Sequence, residues 1–141
     1  MNDLFLSLPR DDRQAGYLRE QIRIWSTLVG LSRQQLDDLL LVASELLSNA
    51  VRAADADSVI DVCVEWSETG VSVRVGNRGP GFDLESLPEP SRTRHGGRGI
   101  AIMRALGAVT VKHVVDQTVV NVALRSPNVA DPGETAQDWV P

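Results

Sequence analysis

Apolar and polar residues along this chain change their period several times, and each change marks an element. "LFLSLP", Leu4 to Pro9, predicts a short first strand. Over residues 11–29 the apolar positions Ala15, Leu18, Ile22, Trp25 and Val29 follow helical spacing. Asp11 and Asp12 suit the start of that helix, and Gly30 stops it. "SRQQ" then sets Ser32 three residues ahead of Gln35, the pattern of a capping box, and predicts a second helix to about Ala54. "VIDVCVEW" alternates, with Ile60, Val62, Val64 and Trp66 on one side and Asp61, Cys63 and Glu65 on the other. "VSVRV" alternates again beyond the turn "SETG", so the two runs predict an antiparallel hairpin with one buried face.

A stiff, bare loop is expected next in "VGNRGPGF", with Asn77 just ahead of Gly79, Pro80 and Gly81. Residues 84–97 are polar, hold Pro88 and Pro90, and predict a long loop of the kind that is functional or mobile in compact domains. "GIAIMRALG" reads as a short helix closed by Gly107, and "VTVKHVV" and "TVVNVAL" as a second hairpin across Asp116 and Gln117. Past Leu124 the chain turns polar, with Pro127, Pro132 and Pro141. The predicted order is β-α-α-β-β-loop-α-β-β. Helices and hairpins are segregated, which implies an α+β, two-layer fold with helices on one face of a mixed, mostly antiparallel sheet. One domain over residues 1–125 with a loose tail over 126–141 fits the length of 141 residues.

Charge and cysteine usage narrow the function. A net charge of −5 argues against a nucleic-acid footprint, which needs a clustered basic surface, but leaves room for a phosphate site built from backbone amides. The single cysteine, Cys63, excludes an internal disulfide and a CxxC metal site, and reads as a small core residue in a strand. With no basic-then-apolar leader at the N-terminus and no apolar run of about 18 residues, a cytoplasmic protein away from membranes is expected.

The second helix is the most informative. Leu36, Leu39, Leu40, Ala43, Leu47 and Ala50 form a core stripe, and the opposite face carries Asp38, Leu41, Val42, Glu45, Asn49 and Arg52. Glu45 and Asn49, four apart, are neighbours. Alone, such a pair more often marks a solvated face. Leu41 and Val42 beside it suit a partly apolar pocket. An amide oxygen there suits a hard cation such as Mg²⁺ among water and phosphate oxygens, and a glutamate suits deprotonation of a hydroxyl that attacks phosphorus.

Two glycine motifs follow. Gly79 and Gly81, around Pro80, would let a flat ligand approach the backbone, although a lone GxG is more often a tight turn. "RHGGRGIAIM" carries Gly97 and Gly99 into a helix, whose first amides attract anions, with His95 and Arg98 as added charge. Neither is a Walker A loop or a strand-led GxGxxG.

In order, Glu45-x-x-x-Asn49, Gly79-x-Gly81 and Gly97-x-Gly99 resemble the N box and two glycine boxes of the GHKL (Bergerat-fold) ATPase family. "SELLSNAVRAA", "VRVGNRGPGFD" and "HGGRGIAIMRAL" look most like its small bacterial branch of anti-sigma factors that are also serine-protein kinases. The likeness covers residues 4–124. It implies an ATP site with Mg²⁺ held by Asn49 and Glu45 as general base on a serine hydroxyl. Gly79 and Gly81 would let adenine lie on the backbone, with Asn77 and Phe82 beside it. Residues 84–97, His95 included, would form the ATP lid, and Gly97, Arg98, Gly99 and Ile100 would border the phosphates. The implied partners are a sigma factor and an anti-anti-sigma protein, often with a homodimeric kinase.

Three positions depart from that pattern. Asn77 stands where the family usually has an aspartate that accepts a hydrogen bond from the adenine amino group. An amide keeps one acceptor and replaces the other with a donor, which predicts ATP binding weaker by about tenfold. Ala53 stands where the branch often has histidine, and Asp116-Gln117 replaces a more glycine-rich turn. Two functions follow: an ATP-dependent serine kinase and anti-sigma factor, or a regulator of the same fold that binds protein and little or no ATP.

Overall fold

The computed structural model describes residues 3–78, 96–114 and 116–125. Among the described residues, three helices cover one face of a five-stranded sheet, in the order β1(Leu4–Pro9), α1(Gln14–Val29), α2(Arg33–Ala53), β2(Val59–Ser67), β3(Gly70–Arg78), α3(Gly96–Leu106), β4(Gly107–Val114), β5(Gln117–Leu124). The strands lie in the order β1-β2-β3-β5-β4, and all four pairings are antiparallel. The two-layer α+β plan expected from the segregated pattern is therefore the observed one. The expected tail, residues 126–141, lies outside the described residues, as do Gly79, Gly81, Phe82 and His95.

The inner face of the sheet follows the alternation. Ile60, Val62 and Val64 of β2, Val71, Val73 and Val75 of β3, and Val120, Val122 and Leu124 of β5 are buried and form one core with the helices. Trp66, at the end of the same alternating set, remains partly exposed. Cys63 is buried but points to the outer face, where its thiol donates to Glu65 Oε1 at 3.6 Å. Burial pushes its pKa up to about 11.

Both helix starts are explained locally. At α2 the capping box is complete: Gln35 N–H donates to Ser32 Oγ at 3.1 Å, and Ser32 N–H to Gln35 Oε1 at 2.9 Å. Helix α1 begins at Gln14, three residues later than the sequence predicts. The Asp11 carboxylate accepts from the backbone N–H and the guanidinium of Arg13, which holds residues 11–13 in a turn ahead of the helix. Gly30, at φ 78°, ends α1 in the left-handed conformation that glycine takes without strain.

Helix α2 is buried more widely than a two-faced helix. Val42, expected on the pocket face, is fully buried in the core with Leu46, while Leu41 is exposed. The reason is its position: α1, α3 and the sheet all pack on α2, so apolar residues are enclosed almost all round it. Strand β3 also differs from expectation. It runs on through Gly76, Asn77 and Arg78, so Asn77 belongs to the sheet rather than to a glycine loop. Pairing explains the extension, because Asn77 has Ile60 on one side and Thr118 on the other. Helix α3 begins at Gly96, so Gly96 and Gly97 lie in its first turn instead of ending the preceding loop. Among the described residues no helix is long and apolar enough to cross a membrane.

Candidate functional site

The site forms where the C-terminal half of α2, the end of β3 and the start of α3 meet. The core sets this meeting. Leu46, Leu47 and Ala50 seat α2 on the sheet, and Ile100 and Met103 seat α3 in the same core. At its far end α2 is tied to β3, where Asp55 N–H donates to the Arg78 carbonyl at 2.7 Å. Glu45 and Asn49 project from adjacent turns of α2. Asn49 is 7% exposed, unusual for an amide, and Glu45 is half-buried.

Gly99 closes the gap between the helices. A Cβ on it would stand 2.7 Å from Glu45 Oε2 and 3.6 Å from Asn49 Nδ2. The second glycine motif thus lies directly on the Glu45/Asn49 pair, some fifty residues away in sequence. Glycine leaves the acid tip in place there, because that tip occupies the space a methyl group would take. Gly97 and Arg98 precede it in the first turn of α3, and Ile100, one residue on, is buried in the core.

Asn49 presents its two ends differently. Nδ2 faces the Gly99 side. Oδ1 accepts a short hydrogen bond from Arg52 Nη2, and Arg52 Nη1 donates to Ser48 Oγ at 2.7 Å. A guanidinium therefore rests on the amide oxygen that the sequence marks for a cation. That oxygen accepts positive charge, and a carboxylate is close by. This donor set fits Mg²⁺ held by one protein oxygen together with phosphate oxygens and water. It does not fit an all-protein cage, and no cluster of three or more His, Cys, Asp or Glu able to hold a metal occurs among the described residues.

At the end of β3, Asn77 is 1% exposed on the inner face, and its Nδ2 is buried with no hydrogen-bond partner among the described residues. Thr118 is directly opposite on β5, also 1% exposed, and its Oγ1 is 3.2 Å from Nδ1 of His113 on β4. Sequence reasoning missed Thr118. It reads as one more β-branched residue in "TVVNVAL", and only the register puts its hydroxyl beside Asn77. A buried polar residue on an otherwise apolar face was the available signal. Of the other departures, Ala53 is the last residue of α2, and Asp116 takes the turn at φ 61°, a conformation aspartate tolerates.

Comparison with known proteins bears on the family and the fold. Residues 8–124 match the family model of the histidine kinase-like ATPase domain. The serine-protein kinase RsbW of Oceanobacillus iheyensis is 25% identical over 114 residues, covering 72% of each chain. Among solved structures, the RsbU and RsbW domains of Rv1364c from Mycobacterium tuberculosis superpose with a TM-score of 0.64 at 23% identity. That match covers 87% of this chain and 32% of the longer one, and it supports the fold. With the matched residues running from the end of β1 through β5 and including α1, α2 and α3, the chain belongs to the histidine kinase-like ATPase domain family.

Proposed function

We propose that this protein binds Mg-ATP and transfers its γ-phosphoryl group to a serine of a protein partner, acting as an anti-sigma factor whose phosphorylated partner is an anti-anti-sigma protein. The observation that carries the reading is the seating of Gly99 on Glu45 and Asn49, which brings a carboxylate, the nitrogen end of the Asn49 amide and the start of α3 together. The first amides of α3 would face the phosphates. Asn49 Oδ1 would hold Mg²⁺, with Arg52 moving off that oxygen onto phosphate. Bound there, Mg²⁺ supplies charge neutralisation on the phosphate oxygens. Glu45 takes the proton of the attacking serine hydroxyl. The serine oxygen forms the new bond to phosphorus, the bond from the γ-phosphorus to the bridging oxygen breaks, and ADP leaves. Asn77, with Thr118 beside it, would meet the base, while Gly79, Gly81, Phe82, His95, Gly97 and Arg98 would complete the pocket and its lid. The sigma factor would bind the protein surface, away from nucleic acid and membrane.

A second reading is favoured by Asn77: a regulator of the same fold that binds protein partners and has little affinity for ATP. Calorimetric titration with ATP, with and without Mg²⁺, separates the two. Micromolar, Mg²⁺-dependent binding that Asn49→Ala abolishes supports the kinase. Absence of binding at millimolar ATP refutes it and leaves the protein-binding module.

A further inference from the structure

Asn77 has a peculiarity beyond the missing charge. Its Nδ2 is a hydrogen-bond donor, buried on the inner face at the end of β3, with nothing described to accept from it. A buried donor without a partner is costly and rare, so a bound molecule that presents an acceptor there would be favoured. A carboxylate at this position can only accept. It matches the 6-amino group of adenine and repels the 6-oxo group of a 6-oxopurine. An amide has one of each, side by side. In one orientation its oxygen accepts from an amino group at C6 while its nitrogen donates to the adjacent ring nitrogen. Turned over about χ2, the nitrogen donates to an oxygen at C6 while the oxygen accepts from the protonated N1. Both purine edges are satisfied by the same side chain.

Among the described residues, neither cross-strand neighbour of Asn77 forces one orientation. Its cross-strand neighbours are Ile60, which is apolar, and Thr118, whose hydroxyl both donates and accepts. Beyond Thr118 stands His113, which contacts the Thr118 hydroxyl through Nδ1 and donates or accepts according to its tautomer. The row Asn77–Thr118–His113 is thus built from groups that follow either hydrogen-bond polarity, without a carboxylate. We propose that Asn77 makes this a relaxed purine site, which takes 6-oxopurine nucleoside triphosphates such as GTP alongside ATP. The proposal rests on the nucleotide-site reading above and adds the identity of the base.

Competition binding on the full chain with Mg²⁺ tests it, using ATP and ITP, which differ only at the 6-position edge of the base, and GTP in parallel. The expected result is ITP affinity within about tenfold of ATP, since a well-matched two-bond base contact discriminates by about ten- to a hundredfold and the amide removes that discrimination. Asn77→Asp should shift the ATP-to-ITP affinity ratio at least tenfold toward ATP. GTP following ITP would identify guanine as a ligand; ITP alone would mean the same 6-oxo readout in a pocket closed to the 2-amino group. ITP binding more than tenfold weaker than ATP in the unmodified protein overturns the proposal and leaves the ATP site standing. A ratio unmoved by Asn77→Asp overturns Asn77 as the reader. If no nucleotide binds, the nucleotide-site reading falls together with this one. The unmodified protein alone decides the matter should the variant not fold.

Discussion

Gly99→Ala separates catalysis from folding in this site. The added methyl would stand 2.7 Å from Glu45 Oε2 and 3.5 Å from Glu45 Cδ, where ordinary contact begins at 3.4 Å. The carboxylate must therefore retreat by roughly 0.7 Å or change rotamer. It is the far end of a flexible side chain, so the backbones of α2 and α3 need not part. Alanine also exceeds glycine in helix propensity by about 1 kcal/mol, which works toward a more stable α3. Stability should thus stay level or rise by up to about 1 kcal/mol, a few degrees in Tm. Asn49 Nδ2, at 3.6 Å from the new methyl, keeps ordinary contact, so ATP affinity should change by less than about threefold. Transfer should suffer, because a 1 Å misplacement of a reacting group costs on the order of a hundredfold, and 0.7 Å should cost about ten- to a hundredfold. The assays are a thermal melt, ATP calorimetry and ADP formation with the serine-bearing partner. Full ADP formation with Gly99→Ala would refute Glu45 as the positioned base. A large fall in Tm would refute the claim that only the acid tip fills the space.

Four further outcomes test the local physics. Ser32→Ala removes one half of the α2 capping box and should lower stability by about 1 kcal/mol in chemical denaturation, with nucleotide binding intact. Cys63 has its thiol pKa raised by burial to about 11 from 9.0, so native alkylation should run about a hundredfold slower than in the unfolded chain at pH 8. Because the folded thiol holds its proton more tightly, the same shift should remove stability as pH rises from 9 to 11, a loss that Cys63→Ala should lack. Asp38 has its carboxyl pushed up by burial first and by Asp37 second, so its ionised form opposes folding above the ordinary carboxylate range. Asp38→Asn should therefore raise Tm at pH 7, with the gain fading as pH falls below that range and both side chains become neutral.

The strands, the helices and their order were legible because each rests on a local period. Ile60, Val62 and Val64 alternate, Leu18, Ile22 and Trp25 recur on one helix face, and Ser32 with Gln35 announces a start. Misreadings occurred where tertiary packing overrides the local pattern. Val42 shares a helical face with Glu45 and Asn49, yet α1, α3 and the sheet all pack on α2 and Val42 is fully buried. Asn77 sits among residues that signal a loop, yet neighbours on both sides pair with it and keep β3 extended to Arg78. Asp11 and Asp12 look like the first turn of α1, but the Asp11 carboxylate is engaged with Arg13 and delays the helix.

The site itself was half legible, and the division has a physical cause. Glu45 and Asn49 are one turn apart, so helical geometry alone makes them neighbours. Gly99 was marked by its spacing from Gly97, but its purpose depends on a contact across about fifty residues, which spacing does not carry. Thr118 left only the mark of a polar residue on an apolar face, since a threonine in a strand is ordinary until the register places it opposite a buried amide. The departure from the family pattern at residue 77 gains its meaning from that same register. Read alone, asparagine is a weaker acceptor than aspartate and predicts only a loss. Beside Thr118, and with Nδ2 buried and without a partner among the described residues, it is a donor in search of an acceptor, so on the reading proposed above the replacement changes which ligands the site favours as well as how tightly it holds them.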